Sequence, residues 1–185
     1  MRRFYEYNSS LDFSLTQREI TALDTGCISI LGTDQSSKPV ILFDITRLPS
    51  KDYDTEFLDL VPKILALVRM KMHVPGKIEM SKYVFNVGSG LLGFNKDTMR
   101  GFITRIAAFE NQFDELVLLN GNWILKGLTK ALEGMGVLDA NITYKMTTVN
   151  DDEIPRKLRT FLPAELIPAE FGGKRTKTLS WPPDY

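Results

Sequence analysis

The sequence predicts an α/β domain: a mainly parallel mixed sheet with one antiparallel edge strand and crossover helices. Three observations predict it. Two apolar, β-type runs, Cys27–Leu31 and Val40–Ile45, are joined by the turn-rich connector Gly32–Pro39, which is of hairpin type. After them, short apolar runs alternate with longer segments whose apolar residues recur at helical spacing. Finally, Pro, Gly and Asn residues punctuate the joins, so each helix has the short connections that a strand-to-strand crossover requires.

Taken in order, residues 1–24 form an N-terminal extension that is polar and mixed, with a helix predicted over Ser14–Leu23. The hairpin follows. A long helix is predicted from Thr55 to Met72, because Phe57, Val61, Ile64, Leu65, Val68 and Met72 share one face. Pro62 is expected to kink that helix or to open its second half, and Pro75 and Gly76 end it. Tyr83–Val87 is mostly apolar and reads as a central strand covered on both faces. A second helix is predicted over Asp97–Asn111, with Met99, Phe102, Ile103, Ile106 and Phe109 as its stripe. Glu115–Leu119 is another central strand. The next helix runs from Trp123 to Gly134, capped by Asn122 and stopped by Gly134 and Gly136. Ile142–Met146 is the last predicted strand and Glu153–Phe161 a short helix, opened by Pro155. Residues 175–185 form a basic, Pro-rich tail.

Composition excludes several function classes. Apolar residues make up 43% and charged residues 25% of the 185 residues, which argues against disorder. Lys and Arg number 23, as do Asp and Glu, so no net charge steers the chain toward nucleic acid. The single cysteine, Cys27, sits among Gly26, Ile28 and Ile30 and is expected to be a buried structural thiol. With one cysteine and one histidine, His73, the sequence offers no zinc site, and no metal or other cofactor is expected. No apolar run approaches the ~20 residues of a membrane span, and Arg2 and Arg3 are not followed by a signal-type apolar stretch. The expected location is cytoplasmic, at most peripheral to membranes.

Gly88-Ser89-Gly90-Leu91-Leu92-Gly93 matches G-x-G-x-x-G directly after a strand, the pattern by which backbone N–H groups approach a pyrophosphate. Three details reject the nucleotide reading. Phe94-Asn95-Lys96 separate the motif from its helix, Asp97 would set a negative charge beside the phosphate, and Asn120-Gly121-Asn122 follow Leu119 where an acid is required. No G-x-S-x-G exists, and Asp44 at a strand end has no catalytic partner visible in sequence. No catalytic residue is assigned, and the chain is read as non-enzymatic.

The C-terminal third is more specific. Ile154-Pro155-Arg156-Lys157-Leu158, Phe161-Leu162-Pro163-Ala164-Glu165 and Ile167-Pro168-Ala169-Glu170-Phe171-Gly172-Gly173-Lys174 resemble the closing signature of CRAL-TRIO domains. In that signature a proline fixes the exit from a short helix and two glycines permit a tight turn over the sheet. Asp34–Phe43 is similar to the family's charged turn and first long strand, and Phe43–Pro49 to the variant in Rho GTPase-activating proteins. The resemblance spans residues 25–174. It departs where Asn120-Gly121-Asn122-Trp123 keeps the family's Asn and lacks its Pro, and where only some two dozen residues precede the first strand, as in lobeless members.

The resemblance implies a CRAL-TRIO-like α/β fold that binds a hydrophobic small molecule or phospholipid, such as a phosphoinositide, in an internal pocket, as carrier or sensor. The ligand would lie between the sheet and the helix beginning at Trp123. Lining residues would be Phe85, Val87, Leu91, Phe94, Phe102, Val117 and Leu119, with Trp123, Ile124, Leu125, Leu128 and Leu132 on the gate. Lys174, Arg175 and Lys177 would touch a membrane surface transiently. The alternative is a protein-interaction module in small-GTPase regulation, partnered by a GTPase or regulatory protein and holding no lipid.

Overall fold

In the computed structural model the described residues are 14–86, 88, 96–107, 109, 112–120 and 145–176. Among them the chain forms a five-stranded sheet in the order β1-β2-β3-β4-β5, comprising Ile28–Thr33, Pro39–Asp44, Ser81–Asn86, Phe113–Leu119 and Met146–Val149. β1 and β2 pair antiparallel as the predicted hairpin, and the other three pairings are parallel. The sheet is therefore mainly parallel with one antiparallel edge, as the sequence predicts.

Helix α1, Gln17–Asp24, starts at a full capping box: the Thr16 hydroxyl accepts from Glu19 N, and the Glu19 carboxylate accepts from Thr16 N. Its Ala22 and Leu23 enter the core. Helix α2, Asp54–Met72, spans 19 residues and runs through the buried Pro62 as one helix, so Pro62 opens no second segment. Helix α3, Lys96–Ala107, begins after the glycine motif and ends short of the predicted Asn111. The final strand differs most. It runs from Met146 to Val149, beginning where the predicted Ile142–Met146 run ends, with a turn at Lys145 before it. Thr147, Thr148 and Val149 are the β-branched residues that fit a pleated surface, and pairing with Leu116–Leu119 fixes their register. Helix α4, Ile154–Arg159, follows a 3-10 turn at Asp151–Glu153 and carries Pro155 in its first turn. The predicted helix Trp123–Gly134 and residues 142–144 lie outside the described residues.

β2, β3 and β4 are largely buried on both faces, and alternation sends the strands' side chains into two separate cores. One face carries Ile28, Ile30, Ile41, Phe43, Tyr83, Phe85, Leu116 and Leu118 against α1, α2 and α3. The other carries Leu31, Val40, Leu42, Val84, Val117, Leu119 and Val149 against α4 and the segment that follows it. Cys27 is fully buried in the first core, and burial pushes its thiol up to about 12, which makes it inert as a nucleophile.

Candidate functional site

The helix-covered face is filled by aromatic rings. Phe85 stacks on Phe102 with centroids 4.1 Å apart, Phe57 stacks on Phe102 at 5.8 Å, and Phe43 meets Phe102 edge-on at 5.5 Å. Each such pair adds about 0.5–1.5 kcal/mol beyond the burial of its surface. Two of the expected lining residues, Phe85 and Phe102, belong to this packed stack. Val117 and Leu119 point to the opposite face, because they alternate with Leu116 and Leu118 along β4. The structure thus brings Phe85 together with Phe102, and Val117 together with Leu119, but separates the two pairs by the thickness of the sheet. Val87, Leu91, Phe94, Trp123, Ile124, Leu125, Leu128, Leu132 and Lys177 lie outside the described residues.

The second face is aliphatic across the sheet. Register aligns Ser29, Leu42, Val84, Val117 and Thr147 in one row across all five strands. The Ser29 hydroxyl is buried at the end of that row and has no hydrogen-bond partner among the described residues. Above the sheet, the described cover is the short α4 with Phe161 and Leu162, then Ile167 and Phe171 from the closing segment. That segment folds by the glycine turn the sequence predicts. Gly172 takes a left-handed φ of 76°, and a Cβ on Gly173 would sit 1.9 Å from the Ile167 carbonyl oxygen. Arg175 N donates to Ile167 O at 3.0 Å and Ala169 N to Arg175 O at 3.0 Å, which seals the loop.

Charged groups frame the foot of this face. Lys82 lies 3.1 Å from Asp114 and 3.5 Å from Glu115, Lys38 is 2.8 Å from Asp114, and Lys157 also bonds Glu115. Burial alone would raise the Glu115 carboxyl, but the Lys157 ammonium and its neighbours outweigh burial and hold it below the usual value. The Lys38 hydrogen bond likewise lowers Asp114.

At the carboxyl ends of β2, β3 and β4 runs a polar seam. Asp44 Oδ1 accepts from Thr46 N at 3.1 Å, Thr46 Oγ1 at 2.6 Å and Asn86 Nδ2 at 3.0 Å. Asn86 Oδ1 in turn accepts from Gly88 N at 3.1 Å and Asn120 Nδ2 at 2.7 Å. Arg47 bridges Asp44, 3.3 Å away, to Glu170 of the closing segment. Asn120 holds a positive φ of 59°, a conformation asparagine tolerates better than most side chains. The sequence reading gave Asn86 no role. The signal lay in the Asp or Asn found at or just after the end of each of three consecutive parallel strands, Asp44, Asn86 and Asn120. The seam fixes how the chain leaves three strands on the edge where ligands of open α/β sheets bind. Its groups hydrogen-bond to one another.

The basic residues expected to touch membranes are partly committed. Arg175 Nη1 donates to Leu31 O at 3.2 Å, and Lys174 lies 3.2 Å from Glu165. Among the described residues no group of three or more His, Cys, Asp or Glu could hold a metal ion. No helix among them is long and apolar enough to cross a membrane.

Residues 23–173 match the sequence model of the CRAL/TRIO domain. No curated protein matches the chain.

Proposed function

The chain belongs to the CRAL/TRIO family, and from that premise we propose that it binds a phospholipid or similar lipid on the aliphatic face of its sheet. Membership of this family supports the binding of a hydrophobic ligand in general. The finer reading rests on one observation, the unlike covering of the two faces. The face under α2 and α3 is filled by stacked rings and two long helices. The face carrying Val84, Val117 and Leu119 is purely aliphatic there, and its described cover is short. An acyl chain against it would gain ~0.8 kcal/mol for each methylene removed from water.

In this reading Val84, Val117 and Leu119 form the floor. The segment beginning at Trp123, with Ile124, Leu125, Leu128 and Leu132, is the gate, and Val87, Leu91 and Phe94 form its lip. Phe85 and Phe102 back the floor from the far side without touching ligand. The unpartnered Ser29 hydroxyl supports the same face, since a buried donor without a partner costs about 1–3 kcal/mol and a ligand carbonyl could accept from it.

The test is mass spectrometry of the purified protein, native and then denatured with organic extraction. A stoichiometric co-purified lipid is the expected result. A protein that is empty and also takes up no labelled lipid from vesicles would overturn the proposal in favour of a protein-interaction module. Leu128→Trp should fill the gate and abolish uptake while the unfolding midpoint holds. Uptake of unchanged affinity would show that the gate lies elsewhere.

A further inference from the structure

Single exposed apolar side chains are ordinary and only their clustering is informative; among the described residues four large ones are exposed, Ile20, Met70, Val74 and Met80. Three of the four fall between residues 70 and 80, where α2 ends and the chain turns into β3. Met70 is 68% exposed, Val74 44% and Met80 37%. Exposed lysines are interleaved with them, at Lys71 and Lys77, and Glu79 is the only acid in that stretch. Glu79 is exposed and bonds back to the turn, accepting from Gly76 N at 2.9 Å.

The stretch is built rather than loose. Val74 and Ile78 exchange both backbone hydrogen bonds at 2.7 Å, and Gly76 supplies the left-handed φ of 73° between them. His73 Nε2 meets the buried Ser81 hydroxyl at 2.9 Å, fastening the end of α2 to the start of β3. A fixed turn therefore joins α2 to β3 through a stretch in which apolar and cationic side chains are both exposed. Such a mixture suits the interface of an anionic bilayer, where apolar side chains enter the headgroup boundary and lysines stay at the phosphates.

We propose that Met70, Val74 and Met80, with Lys71 and Lys77, form a docking surface for an anionic lipid bilayer. It stands apart from the ligand-binding proposal, since a domain with an empty sheet face could still dock. It also lies at the opposite end of β3 from Asn86 and the polar seam. A docked domain turns its strand ends, with Gly88, away from the bilayer. The competing surface is the C-terminal one, where Lys174 and Arg175 already have partners.

The test is co-flotation of the full chain with phosphatidylcholine vesicles, with and without phosphatidylserine. Binding should require phosphatidylserine. Lys71→Gln and Lys77→Gln should each weaken it about fivefold, at roughly 1 kcal/mol per lysine. Met70→Ser should weaken it about tenfold, the loss of one partly inserted side chain. All three residues are exposed, so the unfolding midpoint serves as a control and should not move. Lys174→Gln should leave binding unchanged, and none of the four substitutions should alter the lipid content found by extraction. Equal binding to neutral vesicles, no binding to either, or a loss confined to Lys174→Gln would each overturn the proposal. An unmodified protein that carries no lipid yet binds phosphatidylserine vesicles would count against the ligand reading alone.

Discussion

The two faces of the sheet use the same strands and differ in what presses on them. On one, Phe57 of α2 and Phe102 of α3 press on Phe43 and Phe85 of the strands, and the rings meet Phe102 at centroid distances of 4.1–5.8 Å. On the other, branched aliphatic side chains meet a short helix and a turn held by two glycines. Interlocked rings leave few alternative packings, because shifting one displaces its neighbours. Aliphatic side chains under a short cover can exchange one apolar neighbour for another at little cost. The first face is suited to holding the fold and the second to holding something else.

The largest effect expected from this contrast is on the ring face. Phe102→Ala should destabilise the domain by about 3–5 kcal/mol in chemical denaturation, whether or not lipid is added. Rescue of that variant by lipid would break the comparison, because it would place ligand among the rings. The next effect concerns the lid of the aliphatic face. Gly173→Ala sets a methyl group 1.9 Å from the Ile167 oxygen, so the closing turn must shift, at a cost of about 1–3 kcal/mol or more. Lipid uptake should fall with it, whereas Phe102→Ala should retain uptake in the fraction still folded.

The smallest effect is electrostatic and belongs to the foot of the aliphatic face. The Glu115 carboxyl lies below its usual value in the folded state, so its contribution is present above the unfolded value of about 4.5. That contribution is lost as pH falls through the folded value. Glu115→Gln should therefore lower stability at neutral pH and flatten its decline below pH ~4.5. A decline as steep as that of the unmodified protein would assign the acid sensitivity to other carboxylates, Asp114 foremost.

Element order was legible because hydrophobic period is a local property: the stripe of α2 and the hairpin connector can be read without knowing the rest. Facing was not. In Tyr83-Val84-Phe85 and Val117-Leu118-Leu119 every residue is apolar, since both sides of the strand are covered, and such a run carries no mark of which side is which. Hence the sequence alone offers Phe85 and Val117 as one lining, although the sheet divides them. Only the positions of α2 and α3 assign the sides. The polar seam was invisible for a related reason. Asp44, Asn86 and Asn120 can be seen to end strands, but their bonding depends on β2, β3 and β4 being neighbours in that order. The last strand reaches past the predicted end at Met146 to Val149, because Thr147, Thr148 and Val149 pair with β4, a partner that composition alone does not reveal.

The closing segment has one more consequence, at the rim of the sheet. β1 is an edge strand, and an edge normally offers unpaired backbone groups on which a strand from another molecule can grow. Here the register slips between Ile30 and Gly32, so the edge is bent rather than straight. The Leu31 carbonyl is occupied by Arg175, and the Leu166 side chain sits where a Cβ on Gly32 would be. A visiting strand would find the row of acceptors interrupted and its path obstructed. The same turn that closes the aliphatic face thereby shields the edge against edge-to-edge aggregation.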